Sequence, residues 1–297
     1  MMKYLRKVRL TATGSGGGGI IINPGPIAQH ELKIAFEVSK TISSQANSAT
    51  IQIYNLAEST RNAMGKEFDQ ITLEAGYGGA VGSEGNTGII FQGQIRDPKH
   101  TREGTEIVTT LTCGDGDAAF RKGTISKSFP KGTKVETVMD ELYKQFEKQG
   151  VKRGEWKFPQ GMKDFVRPYA MCGGCKREAD TIGRGKGFYW SIQNGVMEIV
   201  PADDAIGGST YITPQTGLVG VPTITDNGIE ITILLDPEIR PGRRITVQSS
   251  VLEMNAEGGE YRISECTFSG DNREGQFQVG IGAEAIKGGK VDQGIKP

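Results

Sequence analysis

Short runs of alternating apolar and polar residues recur along this chain of 297 residues, and glycine-rich segments separate them. In the stretches Leu32–Glu37 and Ala49–Ile53, for example, apolar residues stand at alternate positions. A period of two is typical of a half-buried β-strand, because successive side chains point to opposite faces of the sheet. The 43 glycines are about double ordinary usage and indicate many turns and strand ends. The chain is therefore predicted to be mainly β.

The first segment, residues 1–115, is predicted to form about six antiparallel strands, enough for a β-sandwich or an open barrel. The alternating stretches are Lys7–Thr11, Leu32–Glu37, Ala49–Ile53, Ile71–Ala75, Ile89–Ile95 and Ile107–Cys113. A short helical turn is predicted at Glu58–Met64. Gly14–Gly19 and residues 76–88 are rich in glycine and are predicted loops, the second of them a mobile hairpin loop.

The period changes in the middle segment, residues 116–203. Apolar residues between Val135 and Phe146 fall at helical spacing, which predicts a helix with one apolar stripe packed in a core. Thr133 and Glu136 have the spacing of a capping box at the start of this helix, and Gly150 is expected to end it.

Two more elements are predicted in the middle segment. A second helix is expected over Gly174–Ile182. The stretch Phe188–Val200 is expected to form a hairpin around Asn194 and Gly195, since Asn-Gly is the preferred two-residue turn. These elements make the middle segment a small α/β domain.

The last segment, residues 204–285, again reads as strands. Alternation is found at Ile229–Leu235, Ile245–Gln248, Tyr261–Phe268 and Gln276–Ile281, and Pro237 and Pro241 mark a turn. Residues 286–297 are polar and glycine-rich and are predicted to form a flexible C-terminal tail. The predicted fold class is mainly β with an α/β insertion: two β-barrel or β-sandwich domains, residues 1–115 and 204–285, flank the α/β domain.

The charge balance limits the partners that the chain can have. Lys and Arg number 35, as do Asp and Glu, so the formal net charge is zero and stable nucleic-acid binding is not expected. Arg240, Arg243 and Arg244 can form a local basic patch, although a solvated turn is the simpler interpretation. No apolar run reaches the roughly 18 residues of a membrane helix, and the N-terminus lacks the apolar core of a signal peptide. We therefore expect a protein made in the cytoplasm with no membrane contact.

Cys172 and Cys175 form the one motif that looks like a site. Two thiols at this spacing can bind a metal or act as a redox pair. Cys113 and Cys266 are isolated, however, and the two histidines, His30 and His100, are equally scattered. Small buried thiols at a tight turn are the simpler interpretation, so no metal and no cofactor is predicted, and reduced thiols are expected.

The remaining candidate sites have simple structural interpretations. Gly14–Gly19 lacks the Lys and Ser or Thr of a phosphate-binding loop, and Gly183–Gly187 leads into a strand although a dinucleotide-binding motif must open a helix. Asp115 and Asp117 lack the further oxygen ligands of a calcium loop, and a turn cap is favoured. No nucleophile elbow or zinc-protease motif is found. We therefore predict no catalytic residue and no enzyme.

Three stretches of the chain together resemble the central baseplate hub proteins of contractile-tailed bacteriophages. They are Asn47–Arg61, in which a strand leads to a helix; Cys113–Arg121, a strand end that runs into a turn; and Thr216–Pro222 followed by Leu234–Arg243. The resemblance covers nearly the whole chain in order, and it rests on strand and turn patterns.

The resemblance implies a quaternary structure. The chain would form a homotrimer in which two tail-tube-like β domains per chain make a pseudo-sixfold ring. The ring would join a sixfold tail tube protein to a threefold central spike protein and contact other baseplate proteins, while DNA passes through a weakly charged channel. The helix over Thr133–Gln149 would brace the outside. The protein would belong to the virion and be assembled in the host cytoplasm.

Two alternatives stay open from the sequence. The first is a hydrolase or carbohydrate-binding domain of a phage or bacterial envelope protein, because 35 acidic residues always permit some pair at the separation that a glycosidase needs. The second is the hub of a related bacterial contractile injection system, which the sequence cannot distinguish from a phage hub.

Overall fold

A computed structural model of the protein describes residues 4–14, 16–24, 31–79, 85–249, 253–254, 256, 259–287 and 290–291. Most of these residues lie in antiparallel strands, which confirms the prediction of a mainly β protein. Within the described ranges, none of the helices has the length and apolar character needed to cross a membrane.

The first segment contains seven strands and one short helix. They are β1 (Tyr4–Thr13), β2 (Gly19–Ile22), β3 (Ile34–Thr41), β4 (Ser48–Tyr54), α1 (Glu58–Ala63), β5 (Gln70–Gly78), β6 (Gly88–Glu103) and β7 (Glu106–Gly114). The six predicted strands are found, and β2 is an addition in a stretch that we expected to be irregular. The predicted mobile loop at residues 76–88 lies partly in strands β5 and β6 and partly outside the described residues.

The middle segment forms the α/β unit. Its elements are α2 (Asp117–Lys122), β8 (Thr124–Phe129), α3 (Val135–Glu147), β9 (Lys152–Trp156), β10 (Tyr169–Gly174), α4 (Cys175–Lys186), β11 (Phe188–Gln193) and β12 (Val196–Pro201). The predicted hairpin is β11 and β12, and both Asn194 and Gly195 have positive φ, as the turn requires.

The last segment is again built of strands. They are β13 (Ile206–Ile212), β14 (Leu218–Thr225), β15 (Gly228–Leu234), β16 (Arg243–Val247), β17 (Glu260–Asp271), β18 (Phe277–Lys287) and β19 (Lys290–Val291). The backbones of β18 and β19 pair across Ile286 and Val291, at the start of the predicted flexible tail. Residues 292–297 of that tail lie outside the described residues.

The two β segments share one sheet. Its main path runs β14-β15-β18-β17-β3-β4-β7-β6-β5-β1-β2, and the antiparallel pairing of β17 with β3 joins the last segment to the first. The buried apolar residues of both segments also form one continuous cluster, from Val8 to Ala285. The segments are therefore not separated by a break in the sheet or in the core, and their division into two ring modules stays a prediction.

The α/β unit has a core of its own. The apolar stripe of α3 is buried there, as its spacing predicts, and the ring of Phe146 stacks on Trp190 with centroids 5.5 Å apart. The predicted capping box is wrong. Helix α3 begins at Val135, one residue late, because the Thr133 hydroxyl donates to the Pro130 carbonyl at 2.7 Å and the Thr133 carbonyl accepts from the Phe165 amide.

Helix α4 is longer than predicted. It runs from Cys175 to Lys186, so Gly183 and Gly185 lie in its last turn, and Gly187 follows with φ of +76°. A glycine in this conformation ends helices because it has no Cβ to clash. This glycine-rich stretch therefore closes a helix and leads into β11, as its sequence indicates, and offers no helix N-terminus to a phosphate.

We predict that Phe146→Ala destabilises the protein by about 3–5 kcal/mol, because it removes a fully buried ring and leaves a cavity against Trp190. Urea denaturation followed by tryptophan fluorescence measures the change. Lys148→Ala, at an exposed position just beyond the same helix, is the control and should change stability by no more than about 0.5 kcal/mol. A loss below about 1 kcal/mol for Phe146→Ala would show that the stacked ring does not pack as described.

Candidate assembly surfaces

One face of the central strands is exposed to solvent and polar. The strands β15, β18, β17, β3, β4 and β7 are consecutive in the sheet, and residues that pair directly across them share a face. Ser39 pairs with Thr267 on one side and with Ser48 on the other, while the alternate residues, such as Val38 and Phe268, are buried in the core. Six strands at the usual spacing make this face about 24 Å wide.

The polar face carries small neutral residues and acidic ones. Glu37, Glu230, Glu265, Asp271 and Glu284 are its acids. The neutral members are Ala35, Ser39, Thr41, Ser48, Thr50, Gln52, Thr110, Thr112, Thr232, Leu234, Thr267, Ser269, Gln278, Gly280 and Gly282. Among the six-strand residues whose side chains the structure describes, no Lys or Arg is exposed on this face, and Arg262, which pairs with Glu284, is fully buried. Lys and Arg are nevertheless as numerous in the chain as Asp and Glu.

Two cations border the polar face, and each is neutralised there. Lys33, just before β3, lies 3.4 Å from a carboxylate oxygen of Asp271 and 2.7 Å from one of Glu274. Arg96 donates to Asp117 at 2.7 Å. Solvated sheets usually mix both signs of charge, so a face of this size without cations calls for a functional explanation.

Strand β14 forms one edge of the sheet. Among the described residues it pairs only with β15, and a bulge between Val219 and Thr223 pushes the strand outward. Val219, Val221 and Ile224 are 41%, 54% and 39% exposed. An unpaired strand with apolar side chains is a template for pairing with another chain.

A projecting hairpin arm forms the other end of the central strands. Residues 97–103 of β6 pair with β7 but not with β5, whose pairing to β6 ends at Gln94. Nearly all of these residues are exposed, so both faces of the arm and its outer edge are open to solvent. The arm and β14 therefore flank the six polar-faced strands on their two sides, while the full sheet continues from β6 through β5 and β1 to β2.

The exposed large apolar side chains lie mainly in a few strands of the large sheet. Eight large apolar residues are exposed in the described part of the chain, and seven of them lie in strands β1, β2, β6, β13 and β14. These seven are Leu5, Ile21, Ile89, Tyr211, Val219, Val221 and Ile224. Single exposed apolar residues need no explanation, but their concentration on the outer strands of a sheet marks candidate contact surfaces.

A buried polar network attaches the α/β unit to the first segment. Asp115 accepts hydrogen bonds from the amides of Asn194 at 2.6 Å and Gly195 at 2.9 Å. The Asn47 side-chain amide donates to the Ile192 carbonyl at 2.8 Å, and the Lys40 ammonium donates to Asn194 Oδ1 at 2.7 Å. The prediction that Asp115 caps a turn is confirmed, and the turn that it caps is the β11–β12 hairpin.

A second buried network attaches the α/β unit to the last segment. The fully buried Arg262 donates to the carbonyls of Pro201 at 2.8 Å, Ala202 at 3.1 Å and Asp204 at 3.1 Å, and also to the carboxylate of Glu284. Three backbone acceptors and a carboxylate hold the guanidinium in one orientation. The loop after β12 is thereby tied to β17.

The prediction of a solvated turn at Arg243 and Arg244 is wrong. Arg243 donates to Glu198 at 2.6 Å, and Arg244 lies 3.2 Å from Asp204 and 3.3 Å from Glu260. Both arginines lie in β16. Arg243 binds Glu198 of the α/β unit, whereas both partners of Arg244 lie in the last segment, so both charges are paired within the chain.

The structure also places the remaining candidate residues. Cys175 is buried, as predicted, and burial raises the pKa of its thiol to about 11, which keeps it unreactive. Cys172 is exposed, so the prediction of a buried thiol is wrong there. His100 Nδ1 lies 3.2 Å from Thr109 Oγ1, and His30 lies outside the described residues. No group of three potential metal ligands is found in the described ranges.

Sequence reasoning missed the polar face and the two open ends. The signal for the face is in the sequence, because the solvent-side positions of β3, β4, β7 and β15 are mostly Ser, Thr, Gln and Glu. The open ends have no such signal, since pairing partners cannot be derived from alternation alone.

The chain was compared with family models, curated proteins and solved structures. A family model described as "Baseplate hub gp41" matches residues 18–283. No curated protein matches the sequence.

Solved structures with a similar fold are tail and secretion-system proteins. The 43 kDa tail protein of prophage MuSo2 from Shewanella oneidensis is 10% identical, with a TM-score of 0.64 over 98% of this chain and 100% of that one. A tail protein from Neisseria meningitidis MC58 is 11% identical, with a TM-score of 0.61 over 97% and 98%. The E. coli c3393 protein, a component of the type VI secretion system, is 11% identical, with a TM-score of 0.58 over 92% and 78%.

The network at Asp115 predicts a pH dependence of stability. Burial raises the pKa of Asp115 to about 6, although Lys40 and the two amides oppose this. The native protein then holds this proton to a higher pH than the unfolded chain, so the stabilisation is complete below about pH 4 and is lost as the pH rises through about 6. Burial lowers the pKa of Lys40 to about 8, so Lys40 stays charged over this range.

We expect the unfolding free energy of the wild type, relative to Asp115→Asn, to fall by about 3 kcal/mol between pH 4 and pH 7. Urea denaturation at a series of pH values measures the difference. Asp226→Asn, which removes an exposed carboxylate, is the matched control. A difference that rises with pH would contradict the buried position of Asp115.

Proposed function

Because the chain belongs to the baseplate hub gp41 family, we propose that it is a hub subunit of which three copies form a ring between the tail tube and the central spike of a contractile phage tail. Its coarser role follows from the family, which is a structural one: the protein is a component of the phage tail baseplate and hence of the virion. The observation that carries the proposal is a run of six strands that exposes no described Lys or Arg on one face and is flanked on each side by a strand with an open outer edge.

The two open ends support a head-to-tail contact between copies. Strand β14 of one copy would pair with residues 97–103 of the next, since each lacks a main-chain partner on its outer edge. Such a contact is heterologous and produces a ring when the rotation closes. Val219 and Val221 would be buried in the contact, and with all edges paired the ring would have no open strand on its inner sheet.

The ring would have pseudo-sixfold symmetry because each copy contributes two sets of strands. The β3–β17 pairing inside a chain would be one kind of seam, and the contact of β14 with the arm of the next copy would be the other. Three of each around one axis match the sixfold symmetry of a tail tube on one side and the threefold symmetry of a spike on the other.

The polar face would line the channel of this ring. Proteins hold DNA mainly through Lys and Arg on its phosphates, and this face offers none to a passing strand. Its acids would repel the phosphates weakly. Its Ser, Thr and Gly residues have short side chains, which would project little into the channel. DNA would therefore pass without binding. This would be the functional reason why the polar face exposes no cations.

The α/β unit would lie on the outside of the ring. It contacts the β segments through the buried networks around Asp115 and Arg262, and the exposed part of the polar face would stay uncovered. Helix α3 would brace the ring from outside, in reach of other baseplate proteins.

A hub of a bacterial contractile injection system is the second candidate. The likeness to the E. coli type VI secretion component favours it, although at 11% identity this likeness concerns the fold. Neighbouring genes for capsid, terminase and sheath proteins would identify a phage, and a sheath without capsid genes would identify an injection system.

We predict that Val219→Glu combined with Val221→Glu prevents trimer formation. Two carboxylates in the edge strand would remain charged and unpaired in the contact, at a cost of several kcal/mol, about 2–5 in comparable interfaces. Light scattering after size-exclusion chromatography gives the mass, which should be that of a trimer for the wild type and of a monomer for the variant.

Ser126→Glu combined with Ser128→Glu is the control for this experiment, because it adds two carboxylates with the same spacing at exposed positions of β8, in the α/β unit. It should leave the trimer intact. A wild type that stays monomeric with the tube and spike proteins present, or a double variant that still forms trimers, would refute the head-to-tail ring.

We also predict that cations on the polar face retard DNA. Ser39→Lys and Thr267→Lys introduce neighbouring ammonium groups across the β3–β17 seam, and a trimer would carry six of them. Phage particles with this hub should assemble normally and release DNA about tenfold more slowly, with a delay that shrinks as salt is added. Release is measured by the fluorescence of a DNA-binding dye.

The control for the channel experiment is Ser128→Lys with Thr137→Lys, two exposed positions of the α/β unit. These particles should release DNA at the wild-type rate. Equal release from both kinds of particle would exclude the polar face as the channel wall.

A further inference from the structure

The α/β unit carries an excess of positive charge. Residues 116–203 contain 16 Lys and Arg against 11 Asp and Glu, so the rest of this neutral chain is correspondingly acidic. Six of these cations are in ion pairs, such as Lys127 with Glu141 and Lys176 with Asp180. The excess is concentrated where two loops meet.

Backbone pairing brings these two loops together. The Gly132 amide donates to the Phe165 carbonyl at 2.7 Å, and the Phe165 amide donates to the Thr133 carbonyl at 3.1 Å. The pairing places Lys131 and Lys134 beside the loop that carries Lys163 and Arg167. Chains paired in this way lie about 5 Å apart, so the four cations share a small area.

A fifth cation fixes the geometry. The ammonium of Lys186, in the last turn of α4, donates to the Lys163 carbonyl at 2.6 Å and lies 4.7 Å from the centroid of the Phe165 ring. We call Lys131, Lys134, Lys163, Arg167 and Lys186 the basic patch. Its members form no ion pair with any described residue, and Asp164 is the one acid in its loops.

The basic patch has an apolar centre. Val166 stands between Phe165 and Arg167 and is 71% exposed, the largest exposed fraction among the apolar residues that the structure describes. Next to it, the rings of Phe165 and Tyr169 stack with centroids 4.6 Å apart. An apolar anchor with a charged rim is the arrangement of a protein-binding surface.

The clustering has no structural explanation within the chain. Exposed like charges on two loops that pair through their backbones repel one another and lower the stability of the unit. The loops are already held by backbone hydrogen bonds and Lys186, so the other cations are not needed for the fold. Their charges are available to a partner.

We infer that the basic patch docks an acidic segment of a partner protein that also carries a large apolar side chain. Carboxylates would pair with Lys131, Lys134, Lys163 and Arg167, and the apolar side chain would cover Val166. The inference goes beyond the ring and does not require it, because no residue of the patch lies in the sheet. In a baseplate, the partner would be another protein on the outside of the hub.

The surface is better suited to a protein than to DNA. The cations lie on two short loops around one valine, whereas a DNA site needs cations spaced along the phosphate backbone. An exposed valine and stacked rings add nothing to a phosphate contact, but they add apolar burial to a protein contact. Preferential binding of nucleic acid is therefore the result that would replace the inference.

Fluorescence anisotropy with three labelled probes tests this inference on the full-length protein. The probes are a peptide of glutamate and leucine, a peptide of glutamate alone, and a duplex DNA oligonucleotide of equal charge. We expect the wild type to bind the mixed peptide most tightly at physiological salt. Tighter binding of the DNA, or no binding of either peptide, would overturn the inference.

Charge reversal then locates the site. Lys131→Glu with Arg167→Glu should weaken binding of the mixed peptide at least tenfold. Lys148→Glu with Lys152→Glu makes the same change in charge at the other end of α3, about 20 Å away, and should weaken it less than threefold. Thermal melting of both variants confirms that they are folded. If both variants lose affinity for the mixed peptide equally, binding depends on net charge alone and the basic patch is not the site.

The apolar centre has its own readout. Val166→Ser should weaken the mixed peptide about fivefold and leave the glutamate peptide unchanged, since serine keeps every cation and removes apolar contact. If both peptides lose affinity equally, or neither does, Val166 is not the anchor. Because trimer formation is measured separately by mass, failure of this docking site would leave the proposed ring intact.

Discussion

The pairing of β3 with β17 is the interaction on which the rest of the structure depends. Residues 35–41 meet residues 265–271 in antiparallel register, although more than 220 residues separate them in the chain. Phe268 packs beside Val38 beneath this seam, so the pairing also makes one core of two segments. Without the seam, neither a continuous polar face nor a sheet with one open strand at each end would exist.

The inner strands could be predicted from sequence, and the outer ones could not. Strands β3, β4 and β15 bury every second side chain in one core, so their alternation is clear. Strand β14 is an edge strand with a bulge and exposed valines, and β2 follows a glycine loop with three consecutive isoleucines, so burial leaves no regular pattern in either. The residues offered to another copy are therefore those with the weakest pattern.

The polar face and the basic patch differ in how well they can be predicted from the sequence. The polar face was implicit in the solvent-side positions of predicted strands such as Glu37 and Ser39. The basic patch was not, because its two loops are 30 residues apart and only the backbone bonds between Gly132 and Phe165 bring them together. The predicted capping box at Thr133 failed because of the same contact between the two loops. The Phe165 amide donates to the Thr133 carbonyl there, and the Thr133 hydroxyl donates to the Pro130 carbonyl.

Charge separation and domain attachment use the same residues. Among the residues of the six central strands whose side chains the structure describes, the cations are Lys40 and Arg262, and both are buried. Lys40 points through the sheet to Asn194, and Arg262 binds the carbonyls after β12. Burying a cation is costly unless acceptors compensate for the lost water, and here the α/β unit supplies Asn194 Oδ1 to Lys40 and the carbonyls of Pro201 and Ala202 to Arg262. The unit therefore helps to keep both cations buried, so that loss of either junction would affect both the position of the unit and the charge that the sheet exposes.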